Sequence, residues 1–293
     1  MDFSKYWSQR QRRVDFALDT LLPPAKTKPK TIHEAMRYSI FAGGKRLRPV
    51  ICVASAEAVG GKIDNALPLA CAVECIHTYS LIHDDLPCMD NDDFRRGKPT
   101  SHRVFGEGIA VLAGDALLTI AFEMAASCQG SARYSSAKIV HELAVAAGSQ
   151  ALIGGQVADT EGEGKKISLS ELRYIHANKT AALITASIRL GAMSANATPR
   201  QLAHLTEFGQ SLGLAFQVID DILDVTQTSE KLGKSAGKDL KAQKATYPAL
   251  LGLKKAQKVA DKLTAQARAS LKPLGKAAAP LLAIADFLLE RKN

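Results

Sequence analysis

Residues 212–225 read LGLAFQVIDDILDV, an apolar run that carries three aspartates close to its end. Asp220 and Asp224 are four residues apart and therefore share one face of a helix, with Asp221 on its flank. Apolar residues surround that face, which favours the interior of a helical bundle, where a carboxylate needs a partner. The run predicts a buried helix whose acidic face holds a ligand.

Helical patterns recur along the rest of the chain, whereas alternating runs of β-branched residues bounded by turns are missing. Capping boxes, which predict helix starts, occur at Thr31, Ser168 and Thr198. The pattern also gives single helices over 131–153 and 168–190, and most connections are short enough for antiparallel packing. No linker rich in proline and serine divides the chain, so we expect one all-α domain over residues 1–293.

The chain is basic, with 38 Lys and Arg residues against 29 Asp and Glu residues and a formal net charge of +9. Much of the excess lies in residues 231–293, where 14 basic residues accompany four acidic ones. Such a segment suits nucleic acid, acidic lipid or phosphorylated small molecules, and composition does not choose among them. Few aromatic residues accompany these lysines and no recognition motif occurs, so a nucleic-acid partner is not expected.

The cysteines and the N-terminal residues indicate the cellular compartment of the protein. The five cysteines are odd in number and lie mostly in apolar helical stretches, which predicts core thiols in reducing surroundings. The first residues are polar and charged without an apolar signal segment, so a cytoplasmic location is expected. The most membrane-like stretch, 109–128, is interrupted by Asp115 and Glu123 and predicts a buried helix rather than a membrane span.

A second acidic cluster comprises Asp84, Asp85, Asp90, Asp92 and Asp93. Carboxylates this close repel each other, so a cation among them is favoured, with a solvated acidic loop as the alternative. Oxygen-only ligand sets suit Mg²⁺, which commonly combines one or two protein carboxylates with substrate phosphates and water. On a continuous helix Asp84 and Asp90 would lie about 240° apart, so the helix is predicted to end near Pro87 and Asp90 to turn back beside Asp84.

Basic groups that could hold phosphate flank both acidic clusters. They comprise the stretch GGKRLRP at 43–49, the pair Arg95 and Arg96, and the lysines Lys234, Lys238 and Lys244. Arginine binds phosphate oxygens through two parallel hydrogen bonds, and lysine acts as a mobile point charge. The three lysines lie in 226–245, a long stretch without helical pattern that indicates a lid or binding loop. The charges together indicate a polyanion site held partly by metal and partly by direct contacts.

Six motifs in one order resemble the trans-prenyl diphosphate synthase family. They are GGKRLRP at 43–49, HDDLPCMDNDDFRRG at 83–97, GGQ at 154–156, Lys179-Thr180, FQVIDDILD at 216–224 and GKSAGKD at 233–239. The match spans nearly the whole chain and is most similar to bacterial farnesyl diphosphate synthases. The resemblance implies a single all-α isoprenoid-synthase domain, a helical bundle around a central cavity, which is usually a homodimer.

The resemblance also implies a role for individual residues. The aspartates implied to hold three Mg²⁺ ions per active site are Asp84, Asp85, Asp90, Asp220, Asp221 and Asp224. The residues implied to contact the allylic diphosphate are Arg95, Lys179, Lys234 and Lys244, with Thr180 and Gln217 lining the reacting end. The residues implied for the isopentenyl diphosphate pocket are Lys45, Arg48, His77 and Arg96. Taken alone, His77 would be explained as a hydrogen-bonded core histidine. For Gly154 and Gly155, close helix packing is as good an explanation as a role in the site.

The implied reaction joins isopentenyl diphosphate to dimethylallyl or geranyl diphosphate. The allylic C–O bond ionises, the double bond of isopentenyl diphosphate attacks the cation, and a proton is lost to the released diphosphate. Tyr79 and Ser80 lie one turn before Asp84 and are expected to form the floor of the cavity for the growing chain. In the family an aromatic residue at this offset goes with a C15 product, so farnesyl diphosphate is the expected product.

Three alternatives remain open at this stage. One is a geranylgeranyl diphosphate synthase, which differs only in product length. Another is a terpene cyclase, which lacks the need for a second diphosphate pocket, so Lys45, Arg48 and Arg96 favour chain elongation. The third is a non-catalytic partner subunit of a prenyl synthase, and the two intact aspartate motifs argue against it.

Overall fold

The apolar run around Asp220 forms the second half of one long helix, Pro199–Thr226, in the computed structural model, which describes residues 2–226 and 245–289. These residues fold almost entirely into helices, which confirms the predicted all-α class. In chain order the helices are α1 (Phe3–Leu21), α2 (Lys30–Ile40), α3 (Leu47–Ala58), α4 (Ile63–Asp84), α5 (Ser101–Phe105), α6 (Glu107–Ala126), α7 (Ser136–Ala147), α8 (Leu152–Gly162), α9 (Leu169–Ile175), α10 (Ala182–Ser194), α11 (Pro199–Thr226), α12 (Tyr247–Leu251), α13 (Leu253–Leu271) and α14 (Ala279–Leu289).

Three short elements complete the described fold. A π-helical segment, His176–Ala181, joins α9 to α10, and a 3₁₀ segment, Lys272–Ala278, joins α13 to α14. Two-residue strands, β1 (Phe94–Arg95) and β2 (Lys98–Pro99), form an antiparallel hairpin after the first acidic cluster. The hairpin is too short to show in a sequence pattern, since it contains only four residues.

Helices α3 and α10 form a central layer between two apolar clusters. On α3, Cys52 and Val53 belong to the cluster built with α1, α2, α4, α6 and α7, while Ile51 and Ala54 belong to the cluster built with α11, α13 and α14. The two central helices approach closely at Gly191, where an added Cβ would lie 1.9 Å from the carbonyl oxygen of Cys52. The absence of a side chain at this position therefore allows both clusters to share one layer and form a single domain.

Helix α6 corresponds to the apolar stretch that the sequence predicts to be buried. Ala113, Leu117 and Ala121 lie in the first cluster, whereas Val111 and Leu112 on another face of the helix are exposed. Among the described residues this is the one helix whose length and composition would also allow it to cross a membrane. The prediction of a core helix is therefore confirmed for one face of α6.

Three of the helix predictions change in the structure. The capping boxes at Ser168 and Thr198 are confirmed, but the box predicted at Thr31 is wrong because α2 begins at Lys30, after Pro29, with no side-chain cap. The single helix predicted over 131–153 is wrong, since Gly148 is extended and separates α7 from α8. The single helix predicted over 168–190 is interrupted by the π-helical segment, where longer hydrogen-bonded turns replace the regular ladder.

Candidate active site

The first acidic cluster lies at a turn rather than along a helix, as predicted. Helix α4 ends at Asp84, and the Asp90 amide donates a hydrogen bond of 2.8 Å to the Asp84 carbonyl oxygen. The Asn91 amide donates to the Leu86 carbonyl oxygen at 3.1 Å, and Asn91 itself has a left-handed backbone with φ of 50°. Pro87 follows the end of the helix, since its ring and missing amide do not fit a helix interior. The turn therefore places Asp90 beside Asp84.

The hairpin that follows brings Arg95 back to the end of α4. The Arg95 guanidinium donates to both Asp85 carboxylate oxygens at distances between 2.6 and 2.9 Å. Asp85 is buried, and this burial raises its pKa while the Arg95 charge opposes the shift. Two of the residues implied for the allylic diphosphate and its metal are thus already paired in the protein.

Asp84 lies in a different electrostatic setting from Asp85. Burial raises the pKa of Asp84 to about 6, while the nearby Lys179 charge lowers it and the Asp90 charge raises it. Lys179 belongs to the π-helical segment, and its positive charge partly offsets the effect of burial on the pKa of Asp84. The ammonium group of Lys179 also contacts Asp159 of α8, with 2.6 Å between Nζ and Oδ2.

A cavity of about 490 Å³ opens beside these groups. Its polar lining includes Asp84, Lys179 and Thr180. Its lining also includes Tyr79 and Ser80, as the sequence predicts for the product cavity, and the apolar side chains Leu118, Ile153 and Val157. A cavity lined by both charged and apolar side chains is suited to an amphipathic molecule with an anionic head.

Arg48 and His77 line the same cavity, whereas Arg96 lies outside its lining. Burial lowers the pKa of Arg48 to about 10, with the Arg96 charge contributing in the same direction, and the Arg48 Nε is buried without a hydrogen-bond partner. Burial also holds the pKa of His77 well below its ordinary value, aided by the Arg48 and Arg96 charges, so the imidazole is neutral at pH 7. Arg96 donates to the carbonyl oxygen of Gly43. This concentration of positive charge is what a second diphosphate group would require.

The cations of the stretch GGKRLRP occupy three different places. Arg46 is buried and forms ion pairs of 2.8 Å with Glu74 and 2.7 Å with Asp15, so it is a structural residue. Arg48 lines the cavity, as described above. Lys45 is exposed, outside the lining of the cavity, with its Nζ 5.9 Å from the centroid of the Phe287 ring.

The second acidic cluster lies on α11 in a partly apolar setting, as predicted. Asp220 and Gln217 are half-buried, whereas Asp221 and Asp224 are buried. The Tyr247 amide donates to Asp221 Oδ2 at 2.9 Å, and His176 Nε2 lies 3.8 Å from Asp221 Oδ1. Burial lowers the pKa of His176 to about 4, so its ring is neutral at pH 7.

The carboxylates present fit a hard divalent cation that is shared with a substrate. Asp224 Oδ2 is buried and has no hydrogen-bond partner within the described part of the chain, so this acceptor is suited to a ligand. In the described part of the chain, no three acidic, His or Cys side chains are grouped to hold a metal by themselves. Mg²⁺ is commonly held by one or two carboxylates together with phosphate oxygens and water, and a buried carboxylate oxygen such as that of Asp224 is chemically suited to it.

The π-helical segment connects the two acidic clusters and was not predicted from the sequence. Its first residue, His176, is near Asp221, and its fourth, Lys179, is near Asp84. Helix α8 packs directly on this segment at Gly155, where an added Cβ would lie 2.1 Å from the Lys179 backbone nitrogen. The explanation of Gly155 by close helix packing is confirmed. π-helical turns are rare and are frequently found at functional sites.

Two residues near this site were missed by the sequence analysis, namely Asp159 and His176. Each has a signal in its spacing, because Asp159 lies one helical turn after Gln156 of the GGQ motif and His176 lies three residues before Lys179. Lys234 and Lys244, which the resemblance implies for the allylic diphosphate, lie outside the described residues, as does Lys238.

Comparisons with known proteins agree with this geometry. Residues 29–279 match the family model described as polyprenyl synthetase. The whole chain is 52% identical to "Heterodimeric geranylgeranyl pyrophosphate synthase large subunit 1, chloroplastic" of Arabidopsis thaliana, covering 80% of that protein. It is 50% identical, again over its whole length, to "Geranylgeranyl pyrophosphate synthase, chloroplastic" of Catharanthus roseus, of which it covers 82%.

The fold has a close counterpart among solved structures. A putative farnesyl-diphosphate synthase from Marinomonas sp. MED121 superposes with a TM-score of 0.85 and 41% identity, and 99% of each chain is covered. An all-α fold of this kind and a family model that spans most of the chain confirm the resemblance seen in the motifs. This chain belongs to the polyprenyl synthetase family.

Proposed function

We propose that this prenyltransferase condenses isopentenyl diphosphate with allylic diphosphates and that its main product is geranylgeranyl diphosphate. The observation that carries the proposal is the cavity lined by the charged Asp84 and Lys179 and by the apolar Leu118 and Val157. An allylic diphosphate fits such a cavity with its head at the charged side chains and its hydrocarbon tail along the apolar ones.

The choice of product departs from the farnesyl diphosphate expected from the sequence. Both curated relatives described above, at 50% identity or more over the whole chain, carry geranylgeranyl pyrophosphate synthase in their names. Farnesyl diphosphate is the second candidate, because Tyr79 places a bulky ring in the cavity one turn before Asp84. The solved structure from Marinomonas, named as a putative farnesyl-diphosphate synthase, also favours this candidate.

The described residues have separate tasks in this reaction. Arg95 and Lys179 would hold the allylic diphosphate and stabilise the negative charge that develops on it as the C–O bond breaks. When bound, Mg²⁺ would be held by carboxylates of the two clusters and would neutralise part of the same charge. Arg48 and Arg96 would hold the second diphosphate with the neutral His77 beside them. The apolar wall would exclude water, which would otherwise quench the allylic cation.

We propose that the enzyme acts as a homodimer through exposed apolar side chains of α6. Val111 and Leu112 are large apolar side chains that are 39% and 52% exposed. Exposed apolar side chains can mark protein interfaces, and a second copy of the chain is the occupant proposed here. Light scattering on a size-exclusion column tests this, and a monomer at micromolar concentration would contradict it.

The activity is tested by incubating the purified chain with Mg²⁺, isopentenyl diphosphate and either dimethylallyl, geranyl or farnesyl diphosphate. Chromatography of the dephosphorylated products is expected to show mainly the C20 alcohol, and chelation of the metal is expected to abolish it. A C15 alcohol with no extension of farnesyl diphosphate would support the second candidate instead. No condensation with any of the three donors would contradict the proposed activity.

A further inference from the structure

The three aspartates of the second cluster differ in what surrounds their carboxylates. Both oxygens of Asp221 face protein groups, since Oδ2 accepts the Tyr247 amide hydrogen bond at 2.9 Å and Oδ1 lies 3.8 Å from His176 Nε2. Asp221 is also almost fully buried, at 6% exposure. The Oδ2 atom therefore anchors the start of the helix at Tyr247, while Oδ1 lies next to the neutral His176 ring, beyond hydrogen-bond distance.

Asp224 shows the opposite pattern. It is 7% exposed, yet its Oδ2 atom is buried and has no hydrogen-bond partner among residues 2–226 and 245–289, which is costly unless a ligand supplies one. Asp220 lies four residues before it and so on the same face of α11, whereas Asp221 is rotated by about 100° from Asp220. The helix thus presents Asp220 and Asp224 together and directs Asp221 elsewhere.

The partners of Asp221 come from two other parts of the chain. His176 opens the π-helical segment that carries Lys179, and Tyr247 begins α12, only three residues after Lys244. The rings of His176 and Tyr247 are stacked, with 5.6 Å between their centroids and an interplanar angle of 30°. Asp221 therefore joins α11 to the segment that bears Lys179 and to the point where the chain returns after 227–244.

We infer that Asp221 is a positioning residue, which with His176 and Tyr247 fixes the π-helical segment and the start of α12, while Asp220 and Asp224 are the metal-facing carboxylates of this cluster. The inference rests on the proposed function in taking the metal to be Mg²⁺ bound with a diphosphate. Carboxylates near a metal centre are often held by hydrogen bonds from surrounding groups, and such outer groups tune the site without touching the ion.

Conservative substitutions distinguish the two roles. An asparagine at 221 keeps an oxygen that can accept the Tyr247 amide hydrogen bond, so Asp221→Asn preserves the anchor while Asp221→Ala removes it. At a position that binds Mg²⁺ directly, the loss of negative charge is damaging in both variants, because Mg²⁺ prefers charged oxygen ligands. Rescue by asparagine is therefore the signature of a positioning role.

The test measures Mn²⁺ binding by electron paramagnetic resonance in the presence of inorganic diphosphate, together with kcat and KM. We expect Asp221→Asn to keep the wild-type number of bound ions, with Mn²⁺ affinity within about threefold, and to recover most of the kcat lost in Asp221→Ala. Asp220→Asn and Asp224→Asn are the matched controls and are expected to weaken Mn²⁺ binding more than Asp221→Asn does, because each removes a charged oxygen ligand. Asp221→Asn decides the matter even if Asp221→Ala does not fold.

The opposite results are equally clear. Loss of an ion in Asp221→Asn, to the extent seen in Asp220→Asn, would overturn the inference while leaving the proposed function intact. Failure of the wild-type chain to bind Mn²⁺ with diphosphate would instead contradict the metal-dependent function itself.

Discussion

The Arg95 guanidinium makes three hydrogen bonds to the Asp85 carboxylate, at 2.6 to 2.9 Å, across the turn that ends α4. Arg95 reaches this position because β1 and β2 reverse the chain immediately after the acidic cluster. The acidic cluster thus contains its own counter-charge before any substrate arrives. Bidentate pairs of this type are among the stronger charged contacts in proteins, and this one limits where a diphosphate can bind.

The first prediction concerns this pair. Removing the guanidinium leaves the buried Asp85 carboxylate without its partner, so Arg95→Ala should lower the free energy of unfolding by about 2 kcal/mol at pH 7. In an Asp85→Asn background, Arg95→Ala should lower the free energy of unfolding by less than about 1 kcal/mol, because no carboxylate charge is then left without its partner. Urea denaturation of the four proteins of this cycle measures both numbers. Equal costs in the two backgrounds would show that the pair does not contribute to stability.

The second prediction is a pH dependence. Burial raises the pKa of Asp84 from 3.8 to about 6, so the folded protein binds this proton more tightly than the unfolded chain does. The contribution of this bound proton to the free energy of unfolding is complete below pH 3.8 and is lost as the pH rises through 6. In metal-free protein, Asp84→Asn should not show this fall in stability with rising pH. At pH 7 its free energy of unfolding should exceed that of the wild type by at most about 3 kcal/mol.

Urea denaturation in the presence of a chelator, at several pH values between 4 and 7, measures the Asp84 effect. The control is Asp261→Asn, which removes an exposed carboxylate of α13 and should not stabilise the protein at pH 7 as Asp84→Asn does. The turnover of Asp84→Asn should fall by orders of magnitude even though its stability rises, because Asp84 lines the cavity. A variant that is both less stable at pH 7 and fully active would contradict this account of Asp84.

The third prediction concerns the contact between α8 and the π-helical segment. A methyl group at 155 would lie 2.1 Å from the Lys179 backbone nitrogen, so Gly155→Ala must push the segment away from α8. Overpacking of this kind typically costs about 1–3 kcal/mol, and moving Lys179 should also lower kcat. Gly108→Ala is the control, because an added Cβ there meets nothing within 4 Å. Calorimetry and steady-state kinetics should separate the two variants, and equal behaviour would mean that the contact is unimportant.

Local chemistry explains which parts of this structure could be predicted from the sequence. The turn at Asp84 follows from Pro87, which does not fit a helix interior, and the helix start at Ser168 follows from its capping box. These features depend on residues within one or two turns of each other. The same reasoning placed the acidic face of α11 inside the bundle, because apolar residues flank it in the sequence.

The features that were missed depend on residues far apart in the chain. Arg46 and Arg48 are neighbours in one basic motif, yet Arg46 pairs with Glu74, which lies 28 residues away, and Arg48 lines the cavity. No local pattern distinguishes their roles. Likewise, the π-helical segment is tied to contacts with Gly155 of α8 and Asp221 of α11, and such contacts are set by the packing of whole helices.

The last prediction concerns product length. Tyr79 is 5% exposed, lines the cavity one turn before Asp84 and stacks edge-on against His83, so its ring occupies space along the path of the growing chain. Tyr79→Ala should therefore lengthen the main product by at least one five-carbon unit, at a cost of about 3 kcal/mol in stability.

Two control variants accompany this change. Tyr79→Phe keeps the ring and should keep the product, and it loses only a hydroxyl that has no hydrogen-bond partner among the described residues. Tyr134→Ala also removes a buried tyrosine, but one that lies outside the lining of the cavity. It should therefore destabilise the protein without changing the product. Chromatography of the dephosphorylated products reads out all three variants, and a folded Tyr79→Ala enzyme with unchanged chain length would show that the limit lies at another part of the wall.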